Sequence, residues 1–129
     1  MQKNFSKWHA EKEKLEIRST AELYFKEREV WWCAMGVNVG YEQDGQGELF
    51  LRPVLIFRKL SRYLFVGIPL STTKKTGRYY FQFSFLPDVI SNALLSQVRV
   101  YDTKRLKDKM ATIAEKDMES IQKALREIL

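Results

Sequence analysis

Short apolar segments recur along this chain, and their spacing predicts strands in the middle of the sequence. The segment from Arg78 to Leu86 alternates, so Phe81, Phe83 and Phe85 share the face predicted to enter the core. Tyr63–Pro69 ends at a proline, which cannot donate to a β-ladder and therefore marks the predicted strand end. The other predicted strands are Val30–Met35, Val54–Arg58, Ala93–Tyr101 and Ala111–Ile113.

A helical period of 3.6 residues appears at both ends of the chain. Residues 3–18 are predicted to form a helix, and a second helix is predicted from about Glu115, after a turn or short helix at Asp102–Leu106. Many short strands with a terminal helix predict a mainly β (α+β) fold, a small SH3-like twisted β-barrel with a C-terminal helix and an N-terminal helical extension. The apolar stripe of the second helix consists of Met118, Ile121, Leu125 and Ile128.

Size and composition indicate one soluble domain. The chain has 129 residues, 45% of them hydrophobic and 29% charged. No apolar run approaches the roughly 18 residues of a transmembrane helix. The charged N-terminus lacks the apolar region of a secretory signal, so we expect a cytoplasmic protein with no membrane partner.

Single cysteine and histidine residues narrow the possible chemistry. Cys33 lies in an apolar strand, where a buried and inert thiol is expected. Because it is the only cysteine, the chain cannot form an internal disulfide. His9 lies in the N-terminal extension, so paired-histidine catalysis and most zinc hydrolase schemes are excluded. We therefore expect no metal and no cofactor, and catalysis by Arg, Glu, Ser, Thr or Tyr.

The net charge is +6, which a soluble protein can carry for solubility alone but which here favours a polyanionic partner. Basic residues cluster where aromatic residues also gather, as expected for binding single-stranded nucleic acid. Candidate contacts to the strand are Thr72, Lys74, Lys75, Arg78, Gln97 and Arg99. The alternatives are a solvated face for the lysines and Arg78, and a structural brace for Gln97 and Arg99.

An acid and an arginine are predicted to meet at the mouths of the first two strands. Glu42 lies in a glycine-containing loop after the first strand, and Arg52 opens the second. The arginine fork matches phosphate oxygens, so the pair suits phosphate chemistry. The loop has no Lys-Ser/Thr ending, and its glycines therefore indicate turns, not a P-loop.

Five motifs occur in order along the chain: Val30-Trp31-Trp32, Gly40-Tyr41-Glu42-Gln43, Arg52-Pro53-Val54-Leu55-Ile56, Ile68-Pro69-Leu70-Ser71-Thr72 and Ser96-Gln97-Val98-Arg99-Val100-Tyr101-Asp102. On them rests a resemblance of residues 26–129 to the MazF/PemK family of toxin endoribonucleases, with residues 1–25 as an extension. It implies a homodimeric toxin of a type II toxin-antitoxin system, restrained by an acidic antitoxin. It also implies metal-independent cleavage of single-stranded RNA, in which the 2′-hydroxyl attacks and a 2′,3′-cyclic phosphate and a 5′-hydroxyl remain.

The resemblance places the catalytic arginine on Arg52, the loop acid on Glu42 and the catalytic threonine on Ser71. A serine keeps the hydroxyl but loses the β-branched restraint on its rotamer, so Thr72 is an alternative source of the hydroxyl. From the residues themselves, we expect Arg52 to stabilise the phosphorane and Glu42 to act as base, because arginine stays protonated. The structural alternatives are a surface ion pair for Arg52, with Glu42 or Glu48, and a capped strand end for Ser71 and Thr72.

Two other functions fit the same barrel. One is a toxin that inhibits a protein target such as DNA gyrase through its terminal helix, against which the pair of Arg52 and Ser71 argues. The other is a catalytically inactive nucleic-acid-binding barrel, which the serine at position 71 allows. Asp102 and Arg105 are predicted to be structural, as a turn cap and an ion pair.

Overall fold

The computed structural model describes residues 23–35 and 51–129. The predicted helix at residues 3–18 and the glycine-containing loop with Glu42 lie outside the described residues. The regular elements within them are β1 (Glu29–Ala34), β2 (Leu51–Lys59), β3 (Leu64–Ser71), β4 (Tyr80–Leu86), β5 (Val89–Leu94), β6 (Arg99–Asp102), β7 (Leu106–Thr112), α1 (Glu115–Ile128) and 3₁₀ turns at Leu95–Gln97 and Thr103–Arg105.

The strands form one antiparallel sheet in the order β4-β5-β3-β2-β1-β7, with β6 paired to β3. Opposite β2, the first half of β3 pairs with β6, and its last two residues pair with β5. This exchange of partners bends the sheet, whose strands curl into a half-barrel. The predicted mainly β fold with a C-terminal helix is confirmed.

The prediction of one continuous strand over Ala93–Tyr101 is wrong. β5 ends at Leu94, a 3₁₀ turn follows, and β6 begins at Arg99. The Leu95 amide donates to the carbonyl of Tyr79 at 2.9 Å, and the buried Leu95 side chain enters the core. The chain therefore passes along one side of β3, from its last two residues, which pair with β5, to its first half, which pairs with β6, although the local sequence remains strand-like.

The predicted strand end at Pro69 is also wrong, because β3 continues to Ser71. Pro69 is paired with Val54 of β2. On the other side of β3, the β6 pairing ends at Gly67 and the β5 pairing begins at Leu70. The proline thus lies in the gap between two partners, where a missing N–H disturbs the ladder least.

The helix α1 covers one face of the sheet. Met118, Ile121 and Leu125 are buried and Ile128 packs beside them, which confirms the predicted apolar stripe. In the described part of the chain, no helix combines the length and apolar character needed to cross a bilayer. The sheet and coil residues that form this core with α1 are Val30, Leu55, Ile68, Leu70, Phe83, Ala93, Leu95 and Ile113.

A second core lies on the opposite face of the sheet. Gly67 permits its tight packing, because a Cβ there would lie 2.7 Å from Cγ1 of Val54 and 2.9 Å from Cδ2 of Tyr101. The Tyr101 ring stacks on Phe65 with centroids 5.4 Å apart. The buried members of this core are Phe25, Trp31, Cys33, Met35, Val54, Ile56, Phe65, Tyr101 and Leu106.

Candidate functional site

The start of β2 and the end of β3 bring Arg52 and Ser71 together. Val54 pairs with Pro69 in the antiparallel register of these strands. The same register, continued by two residues toward the site, sets Arg52 opposite Ser71 on one face of the sheet. The two residue types predicted for catalysis therefore lie side by side.

Arg52 is held inside the structure and not on a solvated edge. Only 8% of the residue is exposed, and its Nη1 donates to the carbonyl oxygen of Leu70 at 3.4 Å. Its cross-strand neighbour on β1 is the fully buried Cys33. The guanidinium is thus hydrogen-bonded to the end of β3, at the residue immediately before Ser71.

Ser71 is held by a local turn. Its Oγ accepts a hydrogen bond from the Thr73 amide at 3.1 Å, a short side-chain turn that restrains the hydroxyl. Ser71 is half-buried, whereas Thr72 is exposed. The predicted capped strand end is present, and the same bond leaves the hydroxyl proton of Ser71 available for another acceptor.

The two residues belong to a row that crosses the sheet. Cys33 pairs with Arg52, Ser71 pairs with Asn92, and Asn92 pairs with Gln82. Paired residues in an antiparallel sheet project to the same face, so the row presents one line of side chains across β1, β2, β3, β5 and β4. Polar groups occupy the row from β2 to β4, whereas the adjacent row of Leu70, Ala93 and Phe81 is apolar.

A cavity of about 190 Å³ lies beside these strand ends. Arg52, Ser71 and Thr72 all contribute to its wall, together with apolar and small residues. Among the described residues, no cluster of three or more His, Cys, Asp or Glu side chains could hold a metal ion. The remaining lining residues are Trp32, Leu51, Pro53, Leu70, Thr73, Phe85, Leu86, Val89, Ser91 and Met110.

Positive charge accumulates on this face of the sheet. The pKa of the Tyr101 phenol is raised, first by burial and then by Cys33, while Arg99, Arg105 and Arg52 act in the opposite direction. The Arg99 guanidinium lies over the Tyr101 ring at 4.7 Å from the centroid. Burial is the main cause that lowers the pKa of Arg105. Three arginines around one buried phenol create a region suited to anionic groups.

The other predicted binding residues surround the site without lining its cavity. Lys75 lies over the Tyr80 ring at 5.8 Å and Arg78 over the Tyr79 ring at 5.2 Å, both in the segment between β3 and β4. Lys74 is exposed in the same segment. Gln97 is half-buried in the 3₁₀ turn before β6, and Arg99 is exposed opposite Gly67.

The residues predicted to be structural make structural contacts. The Asp102 carboxylate accepts from the Lys104 amide at 2.8 Å, which is the predicted turn cap. Arg105 donates from Nη1 to the carbonyl oxygen of Ala34 at 3.0 Å and so ties the 3₁₀ turn before β7 to the end of β1. This contact is with a backbone carbonyl and is not the predicted ion pair.

Asn92 is a polar residue of this site that the sequence did not reveal. It is 1% exposed, and its Nδ2 donates to the carbonyl of Thr73 at 3.0 Å. The predicted strand began at Ala93 and so excluded it. The sequence signal for it was an asparagine within the largely apolar segment Val89–Leu94. Its role depends on its contact with Thr73, which the sequence does not show.

Comparison with known families identifies the fold and its family. Residues 26–129 match the model of the PemK-like, MazF-like toxin of type II toxin-antitoxin systems. The chain therefore belongs to this family, and the resemblance found in its motifs is confirmed. No curated protein sequence matches the chain significantly.

Solved structures show the same fold at low sequence identity. A MazF from Deinococcus radiodurans aligns with a TM-score of 0.65 and 17% identity, covering 81% of this chain and 96% of that one. An endoribonuclease from a mycobacterial species, in complex with its cognate antitoxin, aligns with a TM-score of 0.60 and 18% identity, covering 81% and 93%. The Mycobacterium tuberculosis toxin MazF-mt6 aligns with a TM-score of 0.57 and 15% identity, covering 78% and 94%.

Proposed function

We propose that this protein is the toxin of a type II toxin-antitoxin system and cleaves single-stranded RNA. The observation that supports this most directly is that a buried arginine and a hydroxyl side chain, Arg52 and Ser71, line the same cavity. Family membership supports the toxin assignment. The structural neighbour described as an endoribonuclease supports the reaction.

In the proposed reaction, the ribose 2′-oxygen attacks the adjacent phosphorus and the bond to the 5′-oxygen breaks. The 2′-hydroxyl proton passes to a base, and the leaving 5′-oxygen takes up a proton. The products are a 2′,3′-cyclic phosphate and a 5′-hydroxyl. The reaction needs stabilisation of a charged phosphorane, and Arg52 supplies fixed positive charge for it without a metal.

The position of Arg52 suits this role. Its Nη1 donates to the Leu70 carbonyl at 3.4 Å, which orients the guanidinium toward the end of β3. Burial reduces the water around it, which strengthens its interaction with a charged group. Ser71 would donate its hydroxyl proton to a phosphoryl oxygen while its Oγ accepts from Thr73.

Glu42 is the proposed general base. Arginine stays protonated at neutral pH, whereas a carboxylate can accept the 2′-hydroxyl proton. Protonation of the leaving oxygen is assigned to Arg52 or to water.

The surrounding basic and aromatic residues would bind the RNA strand. Exposed Tyr79 carries Arg78 over its ring, and such pairs can stack on bases and contact phosphates. Lys74 and Lys75 in the same segment, with Gln97 and Arg99 beyond β3, would hold the strand on either side. The same positive surface would receive an acidic antitoxin segment. A structural neighbour solved in complex with its cognate antitoxin supports an antitoxin partner. We propose a cytoplasmic homodimer.

The test is cleavage of a defined single-stranded RNA in the presence of excess chelator. We expect cutting by the wild-type chain, a 2′,3′-cyclic phosphate on the upstream fragment, and no cutting by the Arg52→Ala variant. A wild-type chain that binds RNA without cutting it would establish the inactive barrel instead. Restoration of cutting by added magnesium alone would reject the metal-free mechanism.

A further inference from the structure

Asn92 connects strand β5 to the end of β3. It pairs with Ser71 on one side and with Gln82 on the other. Directly paired residues of an antiparallel sheet have Cβ atoms about 4.5–5.5 Å apart, so Asn92 and Ser71 are neighbours on one face. Asn92 is 1% exposed, so its amide is enclosed by protein.

Two consecutive hydrogen bonds join Asn92 to the Ser71 hydroxyl. Nδ2 of Asn92 donates to the carbonyl oxygen of Thr73 at 3.0 Å. The Thr73 amide donates to Oγ of Ser71 at 3.1 Å. Both backbone polar groups of Thr73 are therefore held, one by Asn92 and the other by Ser71.

The amide of Asn92 also carries an uncompensated atom. Its Oδ1 is buried and has no hydrogen-bond partner in the described part of the chain. Burying an acceptor in this way is unfavourable, and an apolar side chain of similar size would avoid it. The donor that holds Thr73 is thus the feature that distinguishes asparagine from leucine at this position.

We infer that Asn92 is a positioning residue for Ser71, an inference that rests on the function proposed above. Asn92 holds Thr73, and the Thr73 amide occupies a lone pair of Ser71 Oγ. The hydroxyl proton of Ser71 is then directed away from Thr73 and can reach a phosphoryl oxygen. Serine lacks the γ-methyl that restricts threonine rotamers, and this hydrogen-bonded turn supplies the missing restraint.

The first test compares Asn92→Leu with the matched control Thr103→Val. Thr103 is also 1% exposed, and its Oγ1 donates to a backbone carbonyl, that of Arg62, at 3.0 Å. We expect Asn92→Leu to lower kcat for RNA cleavage roughly 10- to 100-fold, the scale of a small misplacement of a reacting group. KM should change little, and the Asn92→Leu protein should be no less heat-stable than Thr103→Val, which should keep the wild-type kcat.

The second test is rescue by Ser71→Thr. A β-branched side chain restores the rotamer restraint without Asn92, so the Asn92→Leu/Ser71→Thr double variant should recover most of the lost kcat. Amide exchange of Thr73 gives a readout without RNA, since it should be faster in Asn92→Leu and unchanged in Thr103→Val. If Asn92→Leu does not fold, Asn92→Ser tests the same bond, because its shorter side chain does not reach the Thr73 carbonyl.

The outcomes separate this inference from the proposed function. Wild-type kcat in a folded Asn92 variant, or a loss of kcat that Ser71→Thr does not rescue, rejects the positioning role. The proposed function stands in that case as long as the wild-type chain cleaves RNA. A wild-type chain that does not cut RNA overturns both.

Discussion

Arg52 donates a hydrogen bond to the carbonyl oxygen of Leu70, the residue that immediately precedes Ser71. The bond joins β2 to the end of β3 where the proposed catalytic hydroxyl is located. At 3.4 Å this hydrogen bond is long and therefore weak, so its main effect is to orient the guanidinium. Displacement of either strand end would therefore change the distance between the guanidinium and the hydroxyl.

Replacement of Arg52 should abolish RNA cleavage. Loss of one preorganised donor costs on the order of 100- to 1,000-fold in rate, so Arg52→Ala should fall at least this far. Arg52→Lys should recover little, because an ammonium cannot reproduce the planar fork. Single-turnover cleavage measures both. Arg58→Lys, at an exposed position of the same strand, should remain active. Full activity in a well-folded Arg52→Ala protein would place the site elsewhere.

Ser71 and Thr72 should differ in their effect on cleavage. Ser71→Ala removes the hydroxyl opposite Arg52 and should lower kcat, whereas Thr72→Ala alters an exposed side chain and should have the smaller effect. Ser71→Thr should keep or raise the rate, because β-branching restricts the rotamer. Steady-state kinetics of the three variants provide the ranking. The reverse order would assign the catalytic hydroxyl to Thr72.

Glu42→Gln should lower single-turnover cleavage with little change in RNA affinity. The substitution keeps size and hydrogen bonding but removes the basicity required for proton transfer. With a carboxylate base, the wild-type rate should rise with pH through the carboxylate pKa and then level off. A rate that keeps climbing well above pH 8, in wild type and in Glu42→Gln alike, would return proton transfer to Arg52 or water.

The sequence predicted those parts of the fold that depend on local periodicity. β1, β4 and α1 were found close to their observed bounds, since β1 is a continuous apolar segment and β4 and α1 each have a regular apolar face. The break between β5 and β6 was missed, because Leu95 is as apolar as Ala93 and Leu94 before it, and its turn is marked only by the long-range hydrogen bond from its amide to the Tyr79 carbonyl. Long-range strand pairing determines where β5 ends and β6 begins, and hydrophobic periodicity does not report such pairing.

The candidate site was predicted by residue type and not by geometry. Arg52 and Ser71 could be selected because an arginine fork and a hydroxyl suit phosphate chemistry. Their adjacency depends on the register of β2 with β3, and the role of Asn92 depends on how Thr73 folds back over the sheet. Neither contact has a local sequence signature.

Cys33 should be unreactive in the native protein. It is fully buried, and burial raises the pKa of its thiol to about 12 although Arg105 and Arg99 act in the opposite direction. The reactive thiolate is therefore nearly absent at pH 8. Maleimide labelling followed by mass spectrometry should show no adduct until denaturant is added. The Leu129→Cys variant, at a position that is 88% exposed, should gain one adduct at once. Rapid native labelling at Cys33 would contradict the buried β1.

Glu29 should make the free energy of unfolding depend on pH in the acidic range. It is 8% exposed, and Oε1 accepts from Trp31 Nε1 at 3.0 Å and from the Lys26 amide at 2.8 Å. Lys109 Nζ lies 3.1 Å from Oε2. Burial alone would raise the pKa of this carboxyl, but the hydrogen bonds from Trp31, Lys26 and Lys109 outweigh it, and the net pKa lies below its ordinary 4.5.

A lowered pKa means that folding favours the ionised form. The stabilisation is fully present above pH 4.5, the ordinary value, and is lost as pH falls through the lower native pKa. Glu29→Gln should reduce the free energy of unfolding by roughly 1–2 kcal/mol at pH 7, the difference between charged and neutral hydrogen bonds. Urea unfolding at pH 7 and below pH 4 measures this, and the difference in free energy of unfolding between wild type and variant should narrow in acid.

The Lys109→Met variant should keep most of the acid dependence, because that lysine side chain is 47% exposed and an exposed partner contributes only about 0–1 kcal/mol. A Glu29→Gln protein as stable as wild type at pH 7 would show that the bonds to Trp31 and Lys26 do not favour the carboxylate.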